Sequence, residues 1–199
     1  MKKILIKGTA LFLGTEDCLT QPAAVLIRNG RIEAAGLEAE RREADADEVI
    51  ECQGQTLLPG LIDCHNHLSL DPTLDNYLFR MKDPIPELTI RAVQTMAVDL
   101  ASGVTTSRCL GDKGFLDLEC KKAVAGGKLA GPRLLVATRG IRAPHGHGFV
   151  GYPFCGVENI RLAVRENLAA GADLIKIYIT GTLRSGKGLP HYFSRDEIQ

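Results

Sequence analysis

The sequence predicts an α/β protein, a short β-rich segment followed by a parallel sheet covered with helices. Two observations carry this expectation. After Leu57, apolar strand patterns alternate with patterns of helical period, and strand starts recur roughly every 40 residues. Before it, a hairpin signature stands alone: Ala24-Val-Leu-Ile-Arg, Asn29-Gly30, then Arg31-Ile-Glu-Ala-Ala. Asn-Gly favours a type I′ turn, because both central positions need positive φ.

The elements follow in order. Residues 1–56 read as short strands, too few for a complete sandwich. The mixed-sign stretch Glu38 to Glu48 reads as a solvated loop. In 57–199, a strand over Leu57 to Leu68 is broken by Pro59-Gly60. A helix follows at Glu87 to Ser102, with Leu88, Ala92, Met96 and Leu100 in register and Gly103 placed to end it. Val104 to Leu110 is the next strand, Leu116 to Ala125 a helix, and Arg133 to Thr138 a third strand. Asn159 to Ala170 is a helix with Ile160, Ala163, Val164 and Leu168 on one face, and Asp173 to Thr180 a fourth strand. Ser194-Arg-Asp-Glu197 has the capping-box form that opens a helix, so the sequence is expected to stop inside one. Strands joined by helical crossovers run parallel, which fits a (β/α)8 barrel or an open doubly wound sheet.

Composition narrows the function classes. Lys plus Arg equals Asp plus Glu at 24 each, so no global field recruits nucleic acid or an anionic membrane surface. No apolar run approaches the ~20 residues of a membrane span. Lys7 interrupts the apolar start, which favours a strand over a signal peptide and makes a cytoplasmic protein the expectation. The six cysteines form no CxxC pair, against a zinc ribbon or redox motif.

Asp63-Cys64-His65-Asn66-His67 is the sharpest chemical feature. Alternate strand residues share a face, so His65 and His67 point the same way, about 6.6 Å apart along the strand. Two imidazoles so placed suit one metal ion, with Asp63 as an outer partner, although such pairs also arise by chance in exposed strands. Lys176 interrupts Leu174-Ile-Lys-Ile-Tyr-Ile-Thr180. Alternation puts Ile175, Ile177 and Ile179 toward covering helices and Lys176 toward the interior. An ammonium there must be paired, neutral or modified; Asp63 is the candidate partner, and a neutral amine can form a Schiff base or a carbamate. The loop Ala143 to Gly151 sets His145 and His147 among glycines, open to a ligand or merely a surface loop. Arg108 and Arg139 end strands two and three and suit a substrate carboxylate. His191 reads as a loop residue, and the glycines from Ser185 to Pro190 lack P-loop spacing.

Taken together, Leu58-Pro-Gly-Leu-Ile-Asp-Cys-His-Asn-His67 resembles the first barrel strand of the amidohydrolase family. Gly103-Val-Thr-Thr and Gly131-Pro-Arg-Leu are similar to its second and third strands. Gly171 to Gly181 resembles the lysine-bearing fourth strand of its prolidase-like and imidazolonepropionase-like branch. The resemblance implies about four βα units of a (β/α)8 barrel over 57–199, preceded by the N-terminal part of a small β-sandwich over 1–56. It implies one or two divalent ions, zinc expected, on His65, His67 and a carboxylated Lys176. The remaining ligands and the general base are expected beyond residue 199, so no catalytic residue is expected within this chain, which reads as the N-terminal part of a longer enzyme. Cys109 stands where relatives often carry aspartate. The implied activity is hydrolysis of a C–N bond in an amide, cyclic amide, N-acyl amino acid or dipeptide by metal-activated water. His145, His147, Arg108 and Arg139 are the expected substrate contacts, the partner is a small molecule, and a homo-oligomer is compatible. Two alternatives remain: a Schiff-base lyase using Lys176, and an inactive fragment.

Overall fold

A computed structural model describes residues 2–15, 17–71, 73–181 and 190–199. The glycine stretch from Ser185 lies almost wholly outside the described residues. The chain divides into two compact units, 1–59 and 60–199.

In the first unit, β1 (Lys3–Leu11) is antiparallel to β2 (Thr20–Arg28) and parallel to β4 (Glu48–Glu51) and β5 (Thr56–Leu57). β2 turns into β3 (Arg31–Gly36) through Asn29 and Gly30, whose φ of 52° and 72° are those of the expected turn. β2 is apolar on both faces: Ala24 and Leu26 pack with Leu5, Ala34 and Ala39, while Ala23 and Val25 pack with Leu11. The stretch expected to be a solvated loop instead forms α1 (Leu37–Glu40) and a 3-10 turn at Glu43–Asp45. Ala39, fully buried, anchors it, and its charges pair: Arg42 with Glu33 and Asp45, Lys7 with Glu43.

In the second unit the first parallel strand, β6 (Leu61–Asn66), starts later than expected because Leu57 belongs to β5. The preceding glycine has a steric reason. A Cβ on Gly60 would sit 2.0 Å from Thr105 Oγ1, so only glycine lets the chain enter beside β7 (Val104–Cys109). β6, β7 and β8 (Arg133–Val136) form a parallel sheet in that order. α2 (Ile85–Ala101) buries Leu88, Ala92 and Met96, and Gly103 at φ 88° ends it as expected. α3 (Leu116–Ala125) has the expected bounds.

The third strand departs from expectation. It stops at Val136, kinks at Thr138 (φ 58°) and resumes as β9 (Ile141–Arg142). The Thr138 amide donates to the buried Asp117 carboxylate at 2.9 Å, which replaces a ladder partner. β9 pairs in parallel with β10 (Tyr152–Pro153) and β11 (Ile177–Tyr178). The fourth strand is shorter than expected, although its approach is bonded alongside: Asp173 N donates to Val136 O at 2.9 Å, and Ile141 N to Lys176 O at 2.8 Å. The two three-stranded parallel sheets, β6-β7-β8 and β10-β9-β11, are tied together by the Asp173–Val136 bond and curl in a mixed α/β architecture.

α4 (Val157–Ala170) buries Ile160 and Ala163 against Ile141 and partly buries Ile175 and Ile177, so these isoleucines face the helix as alternation predicts. Leu168 does not join them. It is exposed, and Asn167 is buried in its stead, donating to the Arg139 carbonyl at 2.8 Å. The capping box forms at α5 (Arg195–Ile198), with Ser194 N donating to Glu197 Oε2 at 2.8 Å. Among the described residues, no helix is long and apolar enough to cross a membrane.

Candidate functional site

β6 delivers His65 and, one residue past its end, His67, their ring centroids 5.5 Å apart and inclined at 65°. His67 is mostly buried, and its Nδ1 lies 2.8 Å from the Gly111 carbonyl oxygen. A carbonyl only accepts, so Nδ1 carries the proton and Nε2 keeps its lone pair. Burial lowers the His67 pKa first, partly opposed by that hydrogen bond; the charges of Lys176 and His147 lower it further. Burial and then Lys176 lower that of His65. Both imidazoles are thus held toward the neutral, metal-ligating form. Asp63 accepts from the His65 amide at 2.8 Å, and its charge opposes these shifts on both rings.

Lys176 lies close enough to depress both histidines, and its own pKa is lowered by burial and by Arg108. It forms no ion pair with Asp63. Among the described residues its ammonium has no carboxylate partner and sits 4.8 Å over the Tyr178 ring. His147 joins the cluster, its ring edge-on to Tyr178 at 5.8 Å. Arg108 also joins it, with Nε donating to the Cys64 carbonyl at 2.8 Å.

Two expected contacts lie elsewhere. Arg139 stacks on Phe115 at 4.7 Å and pairs with Glu166 and Asn167 of α4. No described interaction ties it to the imidazoles. His145 is exposed at φ 64° in a turn closed by Gly146 N to Ala143 O, and it too touches neither imidazole.

Sequence reasoning missed what organises the cluster. Tyr178 is buried, donates to the Leu110 carbonyl at 2.9 Å, and is ringed by glycines. A Cβ on Gly148 would lie 2.6 Å from its ring, one on Gly140 2.7 Å, and one on Gly151 3.0 Å. The glycines of the His145–His147 loop therefore make room for this tyrosine. Asp112, next to Gly111, is fully buried; its carboxylate accepts from the Leu68 amide at 2.9 Å and from the amide and hydroxyl of Ser69. It fixes the backbone just past His67. Set between Gly111 and Lys113, it reads in the sequence as an ordinary loop carboxylate, and its partners lie 43 and 44 residues away.

The donor chemistry fits a divalent ion at two positions, the imidazoles, with Lys176 as a third only when neutral or carboxylated. Among the described residues no cluster of three or more His, Cys, Asp or Glu could hold a metal.

A curled parallel sheet carrying paired imidazoles at the carboxyl end of its first strand defines a class, the barrel-type α/β proteins that place their functional residues at that face. Comparison with known proteins names the group. No protein-family model matches the chain. It is 48% identical over 50 residues to imidazolonepropionase of Acidiphilium cryptum, covering 25% of this chain and 12% of that protein. Ochratoxinase of Aspergillus niger is 28% identical over 172 residues, covering 72% and 35%. A solved amidohydrolase superposes with a TM-score of 0.80 at 30% identity, over 99% of this chain and 52% of the other. The chain belongs to the amidohydrolase family, a family of enzymes, and spans about half the length of that solved relative and less of the two curated ones.

Proposed function

We propose that this chain is part of a metal-dependent hydrolase of C–N bonds, its curled sheet the first four βα units of a (β/α)8 barrel. In this reading His65, His67 and a carboxylated Lys176 hold one or two divalent ions, zinc expected. Such an ion, when bound, lowers the pKa of water and polarises a carbonyl. The remaining work falls to the chain's own groups. Gly111 holds the His67 tautomer, Asp112 fixes the adjoining backbone, and Tyr178 positions His147 to donate to a substrate oxygen. Arg108, beside His65 and Lys176, adds positive charge for an anionic substrate. The general base belongs to the portion of the relatives that this chain does not span.

The observation that carries the reading is the His67–Gly111 hydrogen bond, which leaves Nε2 as the lone-pair nitrogen beside His65. Metal content after dialysis tests it. The His65→Ala/His67→Ala protein is expected to lose its metal while keeping its circular dichroism; equal content in both proteins would sink the assignment. A second reading, a Schiff-base lyase, is favoured by the missing carboxylate partner of Lys176. Borohydride trapping on a carbonyl substrate separates the two.

A further inference from the structure

Two little-exposed arginines of this fold are paired with carboxylates. Arg91 meets Asp83 at 2.7 Å, and Arg139 meets Glu166. Arg142 differs. Ile141 packs toward α4, so Arg142, next on β9, points to the opposite face, that of its register partner Tyr178. There its guanidinium lies 5.7 Å from the exposed Phe149 ring, and Nη1 donates to the Ala143 carbonyl at 3.2 Å. Among the described residues its buried Nε has no acceptor and no carboxylate pairs with the guanidinium. A guanidinium carries five donors in a planar fork, and leaving them unmet away from water is costly.

A second cation stands beside it. Lys113 is half-buried and feels the Arg142 charge; its Nζ is held by the Gly151 carbonyl at 2.9 Å and the Tyr152 ring at 4.8 Å. The carboxylate it senses, Asp112, is committed to Leu68 and Ser69. Two like charges thus share one rim, and among the described residues their contact partners are carbonyls and rings. Backbone and ring contacts link that rim to the imidazoles: Lys113 follows Gly111, the partner of His67, by two residues, and Tyr178 both meets the His147 ring and is the register partner of Arg142.

We propose that Arg142, supported by Lys113, is a carboxylate-binding subsite, with Phe149 receiving the apolar part of the same ligand. The inference rests on the hydrolase reading and gives it a substrate class: N-acyl amino acids or dipeptides with a free α-carboxylate, rather than neutral cyclic amides. Planar, bidentate recognition of a carboxylate is the task for which arginine is suited.

The test uses the full-length, metal-loaded protein and a matched pair of probes, N-acetyl-L-leucine and N-acetyl-L-leucinamide. For Arg142→Gln, KM for the acid is expected to rise roughly tenfold to a hundredfold, with kcat and the amide's KM little changed. Lys113→Gln, which removes only the supporting charge, weakens the acid about threefold and serves if the arginine variant fails to fold. Calorimetric binding of N-acetyl-L-leucine gives a readout independent of turnover. Wild-type binding that survives Arg142→Gln, or equal losses for acid and amide, would overturn the subsite. Turnover of neither probe by the wild type would instead count against the hydrolase reading, with calorimetry still deciding the subsite.

Discussion

At the residue scale, the glycines around Tyr178 show how a side chain can be specified by what is absent around it. Gly148 has φ 97°, and an added Cβ would meet the Tyr178 ring at 2.6 Å. Gly127, at the end of α3, has φ 68° with nothing within 4 Å. Both substitutions to alanine incur left-handed strain, about 1–2 kcal/mol. Only Gly148→Ala adds an overlap, bringing its cost to about 2–4 kcal/mol. Urea unfolding of the two variants should separate them by the overlap alone, about 1–2 kcal/mol. It should also find His147 displaced only in Gly148→Ala, read as a shifted imidazole proton resonance. Equal destabilisation would mean that Tyr178 yields readily and does not organise the cluster.

At the element scale, α3 is docked through an acid. Asp117 is fully buried, its two oxygens accepting from the amides of Leu118 and Thr138 at 2.8 and 2.9 Å, and no described cation pairs with it. Burial, then the neighbouring Asp112, pushes its pKa up to about 7, from 3.8 when unperturbed. Asp112 is itself raised to about 6, again by burial. The folded state therefore retains protons that the unfolded chain releases above 3.8. Stability falls as pH rises from there to about 7. In Asp117→Asn the amide nitrogen faces one of the two N–H donors, so stability drops at low pH, but the slope between pH 4.5 and 7 should flatten. Denaturation midpoints across that range measure it; parallel curves for variant and wild type would show that Asp117 stays ionised.

At the scale of the molecule, the unit over 60–199 exposes much apolar surface. Leu61 and Ile62 on the edge strand β6 are 52% and 66% exposed, and Ile90, Val98, Leu162 and Leu168 are exposed on the helices. An uncovered apolar edge with unpaired backbone groups invites association. The 199-residue chain by itself is therefore expected to bind a hydrophobic dye and to elute above monomer size. A dye-silent monomer in size-exclusion chromatography with light scattering would count against this.

What the sequence determined by itself was local. The period of α2, α3 and α4, the Asn29-Gly30 turn, the capping box at Ser194 and the outward isoleucines beside Lys176 all arise from contacts within a few residues, which leave a readable pattern. The His65–His67 pair was legible for the same reason, since strand alternation alone puts both rings on one face. What surrounds the pair was decided by tertiary structure. Gly111 meets His67 across 44 residues, and Tyr178 meets Leu110 across 68. No periodicity marks such contacts. Arg139 looked as available as Arg108 until α4 supplied Glu166 and Asn167, and Arg142 drew no notice until the kink at Thr138 turned it toward Tyr178. Propensity and alternation act along the chain, whereas the partner of a buried charge is chosen only when distant segments pack, because desolvation begins there.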